Sequence, residues 1–187
     1  MHSSALAFGS TALTRADVAG KDVLEAGAMD VNGSLRPAIE ALGPGSYLAT
    51  DMRPGPGVDM VCLAENLPPL SADVVICTEM LEHAQDWRAA LTGSVRALRP
   101  GGLLLLTTRS PGFPRHGFPE DYWRFPVETM RHVLGTCPLE LLRCEPDPDP
   151  SSPGVFALAR RLPEDFPDEA DVILRAHLAG IEAEPVD

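Results

Sequence analysis

The sequence predicts an α/β domain built on a largely parallel sheet, and three observations carry that expectation. Short apolar runs alternate with segments whose apolar residues recur at helical spacing. Glycine, proline and aspartate punctuate the joins between them. The 187 residues are 44% apolar and 22% charged, which suits one packed domain over residues 1–187, with its core at about 20–160.

Each element follows from its local pattern. Val23 to Ala26 is a short apolar run that stops at Gly27. Ser34 to Leu42 sets Leu35, Ala38, Ile39 and Leu42 on one helical face. Ser46 to Thr50 is strand-like and ends at Asp51; a Pro/Gly turn, Arg53 to Gly57, leads to a third short strand, Val58 to Leu63. Asp73 to Cys77 reads as a buried strand. Asp86 can cap a helix running to Leu98, with Trp87, Leu91, Val95 and Leu98 along one side. Pro100-Gly101-Gly102 breaks the chain before Leu103 to Thr108, whose unbroken apolar run suits a strand covered on both faces.

Beyond Thr108 the rhythm changes. Residues 109–125 hold three prolines, two glycines and five aromatics without a clear period, the mark of a functional loop or lid. Pro126 starts another helix, and Leu139 to Cys144 and Val155 to Arg160 read as two last strands. Residues 168–181 read as an acidic helix within a solvated tail, 162–187.

Charge excludes some partners. Fifteen basic residues face 27 acidic ones, a net of −12, and no basic stripe exists for a nucleic acid to bind. No apolar run reaches the roughly 20 residues that span a bilayer. The N-terminus lacks a basic segment leading into an apolar one, so a cytoplasmic location is expected. Cys62, Cys77, Cys137 and Cys144 have no metal-type spacing and read as free thiols.

Three constellations carry chemistry. In the first, Gly27 follows the first strand directly, where a backbone without a side chain can approach a ligand. Asp51 ends the second strand, where a carboxylate can accept both hydroxyl hydrogens of a ribose. Glu25 stands just before the glycine turn, where it would repel a phosphate but suits a cationic or amino-acid ligand. The second is Glu79-x-x-Glu82-His83, whose side chains share one face if the segment is a helical turn. The third runs from His116 to Phe125, with Asp121, Tyr122, Trp123 and Arg124. Its aromatics offer flat walls for a substrate, Arg124 a cation for a carboxylate, and His116 a base.

The segments 23–33 (VLEAGAMDVNG), 47–51 (YLATD), 64–68 (AENLP), 73–86 (DVVICTEMLEHAQD) and 98–108 (LRPGGLLLLTT) together resemble the class I S-adenosylmethionine-dependent methyltransferases, in the small methyltransferase-domain group. The resemblance implies a Rossmann-like seven-stranded, mostly parallel sheet with helices on both faces and the last strand antiparallel. It implies S-adenosylmethionine as cofactor. Glu25, Gly27 and Ala28 would meet its methionine part, Asp51 with Met52 the ribose, and Leu63 and Ala64 the adenine. Thr78 and Glu79 would face cofactor and substrate. The chain departs from the family at Met29 and Val31, where glycines are frequent, and at Leu63, where an Asp often meets the adenine amine.

The expected function is methyl transfer to an oxygen or nitrogen of a small molecule. His83 or His116 would act as base, and Tyr122, Trp123 and Arg124 would contact the substrate. The E-x-x-E-H pattern also resembles the metal site of small-RNA 2′-O-methyltransferases and ubiquinone-pathway O-methyltransferases. That resemblance defines one alternative: Glu79, Glu82, His83 and His116 around a divalent ion such as Mg2+. It ranks below a metal-free site, because LEH also occurs in members without metal. A second alternative, motivated by Met29, Val31 and Leu63, is a non-catalytic binding or scaffold subunit. The short segment before the first strand leaves room for a homodimer that completes the site.

Overall fold

The structure, a computed structural model, describes residues 1–117, 119–163 and 178–186. In its main sheet β1 (Asp22–Ala26), β2 (Ser46–Asp51), β3 (Met60–Val61), β4 (Ala72–Thr78) and β5 (Leu98–Arg109) run parallel to one another. The short pair β6 (Trp123–Arg124) lies outside it. β7 (Leu139–Pro146) and β8 (Gly154–Arg161) complete the sheet, in the order β3-β2-β1-β4-β5-β8-β7. β8 is antiparallel to both β5 and β7. The reversal between β1 and β4 opens a crevice at the carboxyl ends of the strands, where ligands bind in such sheets.

Alternating side chains feed two apolar layers. Val75, Cys77, Leu104 and Leu106 point to one, shared with α4 (Trp87–Ala97) and α5 (Val127–Thr136). Val74, Ile76, Leu103 and Leu105 point to the other, covered by α1 (Ser3–Ala12), α2 (Arg15–Val18) and α3 (Arg36–Glu40). This double coverage explains why β4 and β5 are apolar at successive positions. Asp86 caps α4 as expected, its Oδ1 accepting from the Ala89 amide at 2.9 Å.

Some boundaries differ from the sequence reading. The Pro100–Gly102 break is an irregularity within β5, with Gly101 at φ +79° and the register against β4 shifting between Ala72 and Val74. The third strand shrinks to two residues, because the Asp59 carboxylate is turned to the Ala49 amide and Arg36. The segment before β1 is two helices; Phe8 of α1 stacks on Phe156 at 5.0 Å.

Residues 168–177 of the expected acidic helix lie outside the described residues. The chain beyond them is not a solvated tail. Leu178, Ile181 and Ala183 are buried in the core, and β9 (Glu184–Pro185) pairs antiparallel with β6 in the lid. Arg88 at the start of α4 donates to the carbonyls of Leu178 and Ile181, fastening this strap. Among the described residues no helix is long and apolar enough to cross a membrane.

Candidate active site

A cleft of about 930 Å³ opens over the carboxyl ends of β1, β2 and β4. One half is built by the loops that follow β1, β2 and β3. Glu25, the fourth residue of β1, lies at its floor, 3% exposed. The Tyr47 hydroxyl donates to Glu25 Oε2 at 2.7 Å. Burial outweighs that bond and pushes the carboxyl up to about 7. Gly27 takes φ +77°, and a Cβ there would stand 2.4 Å from Met80 Cγ, so no other residue fits without moving Met80.

The amides of Gly27 and Ala28 both donate to Thr50 O at 2.9 Å. These two residues therefore line the cleft by shape rather than by free donors. Asp51 is held by the amides of Met29 and Arg53, each at 3.2 Å. A carboxylate has about four lone-pair sites, so capacity remains for two ribose hydroxyls. Met52, 48% exposed, and Leu63, 41% exposed, flank the mouth with Ala64 beside them, giving apolar surface for a flat base. Gly33 also lines the cleft with nothing within 4 Å of a Cβ position, leaving open space for a ligand. Residue types, spacing and room fit S-adenosylmethionine.

The other half is built by the turn after β4, the lid and the N-terminal segment. Thr78 and Glu79 line it, but Glu79 is not free. Its Oε1 accepts from Thr107 Oγ1 at 2.9 Å and its Oε2 from Arg109 Nε at 2.6 Å. Arg109 is fully buried; its Nη2 also donates to Glu79 Oε2, and its Nη1 reaches Asp147 and Ser152. Glu79 sits at φ +55°, outside any helix, so the expected shared face of Glu79, Glu82 and His83 does not form. Glu82 turns inward, fully buried. Its Oε2 accepts from Thr108 Oγ1 at 2.8 Å, while Oε1 has no partner among the described residues. Burial and the nearby Glu79 hold its carboxyl well above the ordinary range.

His83 and His116 both line the cleft, ring centroids 4.8 Å apart. Each spends Nδ1 on the lid: His83 on Glu120 O at 2.5 Å, His116 on Asp121 Oδ2 at 3.1 Å. With Nδ1 as the donor, each Nε2 keeps its lone pair. Burial, with the neighbouring His83, lowers the His116 pKa from its ordinary value and keeps the ring a neutral base. One ligand atom each from Glu82, His83 and His116 lies within 4.8 Å of the others, a trio that could hold a metal ion. Glu79 is not part of it.

Two of the three expected substrate contacts lie elsewhere. Tyr122 lines the cleft. Trp123 does not; its Nε1 donates to Ala84 O at 2.9 Å and anchors the lid. Arg124, 4% exposed, grips both Asp121 oxygens, at 2.6 and 2.7 Å, and the carbonyls of Phe113 and Pro114. It cannot also pair with a substrate carboxylate. Among the cleft residues that sequence reasoning missed are Met1, His2 and Ser3, far from the other lining residues in sequence. Nothing in their local sequence signals a site.

The central segment and the fold are similar to those of known proteins. Residues 21–106 match the family described as a methyltransferase domain. The ubiquinone biosynthesis O-methyltransferase of Idiomarina loihiensis is 35% identical over 88 residues, 45% of this chain and 33% of that protein. The chain thus spans about a third of that curated relative's length. Among solved structures, the Burkholderia thailandensis 1,6-didemethyltoxoflavin-N1-methyltransferase, with 1,6-didemethyltoxoflavin and S-adenosylhomocysteine bound, superposes with a TM-score of 0.69 at 18% identity. The match covers 84% of this chain and 78% of that one. A Mesorhizobium loti S-adenosylmethionine-dependent methyltransferase gives 0.64 at 16% identity, covering 85% and 98%. The chain thus shares its fold with S-adenosylmethionine-dependent methyltransferases, and its residues 21–106 are similar to the methyltransferase-domain family.

Proposed function

We propose that the protein transfers a methyl group from S-adenosylmethionine to an oxygen or nitrogen of a small molecule. The observation that carries the acceptor side is the Asp121–His116 pair: a buried carboxylate orients an imidazole whose free nitrogen belongs to a cleft-lining residue. Glu25, Asp51, Leu63 and Ala64 would hold the cofactor. Bound S-adenosylmethionine supplies an electrophilic methyl group. The chain's own work is to align the acceptor and to remove its proton at His116 Nε2, with His83 beside it. The acidic charge and the absence of a basic stripe in the sequence support a small acceptor over a nucleic acid.

The test is methyl transfer to a panel of hydroxyl and amine acceptors by wild type, His116→Ala and His83→Ala. Loss of the base should lower kcat by about 10²- to 10⁴-fold with S-adenosylhomocysteine affinity kept. Full turnover by both variants would remove the base assignment.

A second reading is favoured by one observation, the unpartnered Glu82 Oε1 beside His83 and His116. In it, Glu82, His83 and His116 would hold a divalent ion, the two imidazoles suiting zinc or another transition metal better than Mg2+, and the ion would supply Lewis-acid polarisation of the acceptor. Activity that survives a chelator, together with a metal-free active preparation, rules it out.

A further inference from the structure

Four rings stand in a row along the acceptor half: His2, Phe113, His116 and His83. Their successive centroids are 5.0, 4.9 and 4.8 Å apart, each pair edge-to-face. Three of them, the imidazoles, border the cleft, and Phe113 braces two from behind, 9% exposed. Tyr122 borders the same space.

His2 is far from this site in sequence, and two ties bring it there. Its Nδ1 lies 3.2 Å from Ser152 Oγ, and its ring edges onto Phe113. Two residues on, Ser4 Oγ donates to Asp147 Oδ2 at 2.7 Å, and Asp147 belongs to the Arg109–Glu79 network at the end of β4. The first turn of α1 is therefore pegged to the catalytic end of the sheet. Among the described residues His2 Nε2 has no hydrogen-bond partner, so it is available to a ligand.

Charge around this half is already spent. Arg109 is bound to Glu79, Asp147 and Ser152; Arg124 to Asp121 and two carbonyls; Arg88 to the carbonyls of Leu178 and Ile181. Among the described residues Arg53 is the one Lys or Arg that borders the cleft, and it belongs to the loop after β2, beside Asp51. Arg115 of the lid is exposed and does not border it. An acceptor carrying a carboxylate or phosphate would find the carboxylates of Glu79 and Glu120 nearby and, among the described residues of this half, no uncommitted guanidinium.

From this arrangement we infer that the N-terminal segment is one wall of the acceptor site, that His2 contacts the acceptor, and that the acceptor is a flat, uncharged hydroxy- or aminoarene. The inference rests on the methyl-transfer reading and deepens it. Flat rings suit edge-to-face packing against imidazoles and Tyr122, and Nε2 of His2 supplies a hydrogen bond at the ring's periphery.

The test uses the full chain with ¹³C-labelled histidine, first saturated with S-adenosylhomocysteine and then titrated with phenol or benzoate. Phenol should shift the imidazole signals of His2, His83 and His116 and leave His132 unmoved; benzoate at equal concentration should bind at least about tenfold more weakly, as expected for a carboxylate desolvated without a cation. His2→Ala should weaken phenol about three- to tenfold, the worth of one aromatic contact, with S-adenosylhomocysteine affinity unchanged. His2→Gln, which keeps a polar partner for Ser152, separates contact from local folding: it should retain α1 and still lose phenol affinity.

An unshifted His2 alongside shifted His83 and His116 would overturn the wall. Equal benzoate binding, or no phenol binding with the cofactor product in place, would overturn the acceptor class. Equal loss of phenol and S-adenosylhomocysteine in both variants would make His2 merely structural. Failure of S-adenosylhomocysteine itself to bind would instead strike the methyl-transfer reading.

Discussion

The two halves of the cleft are assembled by different rules. The half proposed to hold the cofactor draws on one continuous stretch, Glu25 to Glu65, in which each strand end hands the chain directly into the cleft. The half proposed for the acceptor gathers residues 1–3, 78–86 and 116–122, then braces them from behind with a strap near residue 184. Sheet topology alone places the first half, whereas the second depends on buried ion pairs between distant segments. The cofactor half should therefore tolerate changes in the lid, and the acceptor half should fail when its ties are cut.

The largest effect is expected at Arg109. Arg109→Met leaves Glu79 and Asp147 without their shared cation, and removing one member of such a buried pair costs about 3–5 kcal/mol. Chemical denaturation should register that loss, and S-adenosylhomocysteine should still bind to whatever fraction remains folded. Unchanged stability would mean the network is not what fastens the acceptor half.

In the other half, Asp51→Ala should weaken S-adenosylhomocysteine about ten- to a hundredfold, since a hydrogen bond to a charged group is worth ~1.5–3 kcal/mol. The fold should be kept, because the Asp51 side chain receives only two loop amides. Calorimetric titration checks both halves of this expectation.

Glu25 gives the cofactor half a pH signature. Its carboxyl is raised by burial to about 7 in the unliganded protein, against an unfolded value near 4.5. The folded state then binds more protons than the unfolded one between those values, so this group's stabilisation is full below about 4.5 and is lost as pH rises through about 7. A cationic amino group beside Glu25 favours its ionised form. Affinity for S-adenosylhomocysteine should accordingly rise as pH climbs through about 7 and level off above it. Glu25→Gln should flatten the profile.

The smallest effect is expected at the strap. Arg88→Ala removes two carbonyl contacts and should cost ~1 kcal/mol. Amide exchange should speed up in residues 119–125 and 178–186 while the β1 and β4 amides stay protected. An unchanged lid would mean the strap does not hold it.

The same contrast explains what the sequence made legible. Strand periodicity and the glycine and aspartate at strand ends report local constraints, so the sheet, Gly27, Asp51 and the Asp86 cap could be read directly. The roles of Trp123 and Arg124 could not. An aromatic or a guanidinium in a lid reads equally as substrate contact or anchor until its partners Ala84 and Asp121 are seen. Glu79 misled for a related reason: its positive φ breaks the helical spacing that would have aligned it with Glu82. His2 carried no local signal, because its place depends on Ser152, 150 residues away. Helix α1, SSALAFGSTA, lacks the charged face that marks an amphipathic helix and was equally silent.

The most direct measurement is calorimetric titration of the intact chain with S-adenosylmethionine and S-adenosylhomocysteine, with and without Mg2+. Saturable binding that needs no metal and is lost in Asp51→Ala is the predicted result. No binding by a folded sample would contradict the account and favour a methyltransferase fold retained as a scaffold.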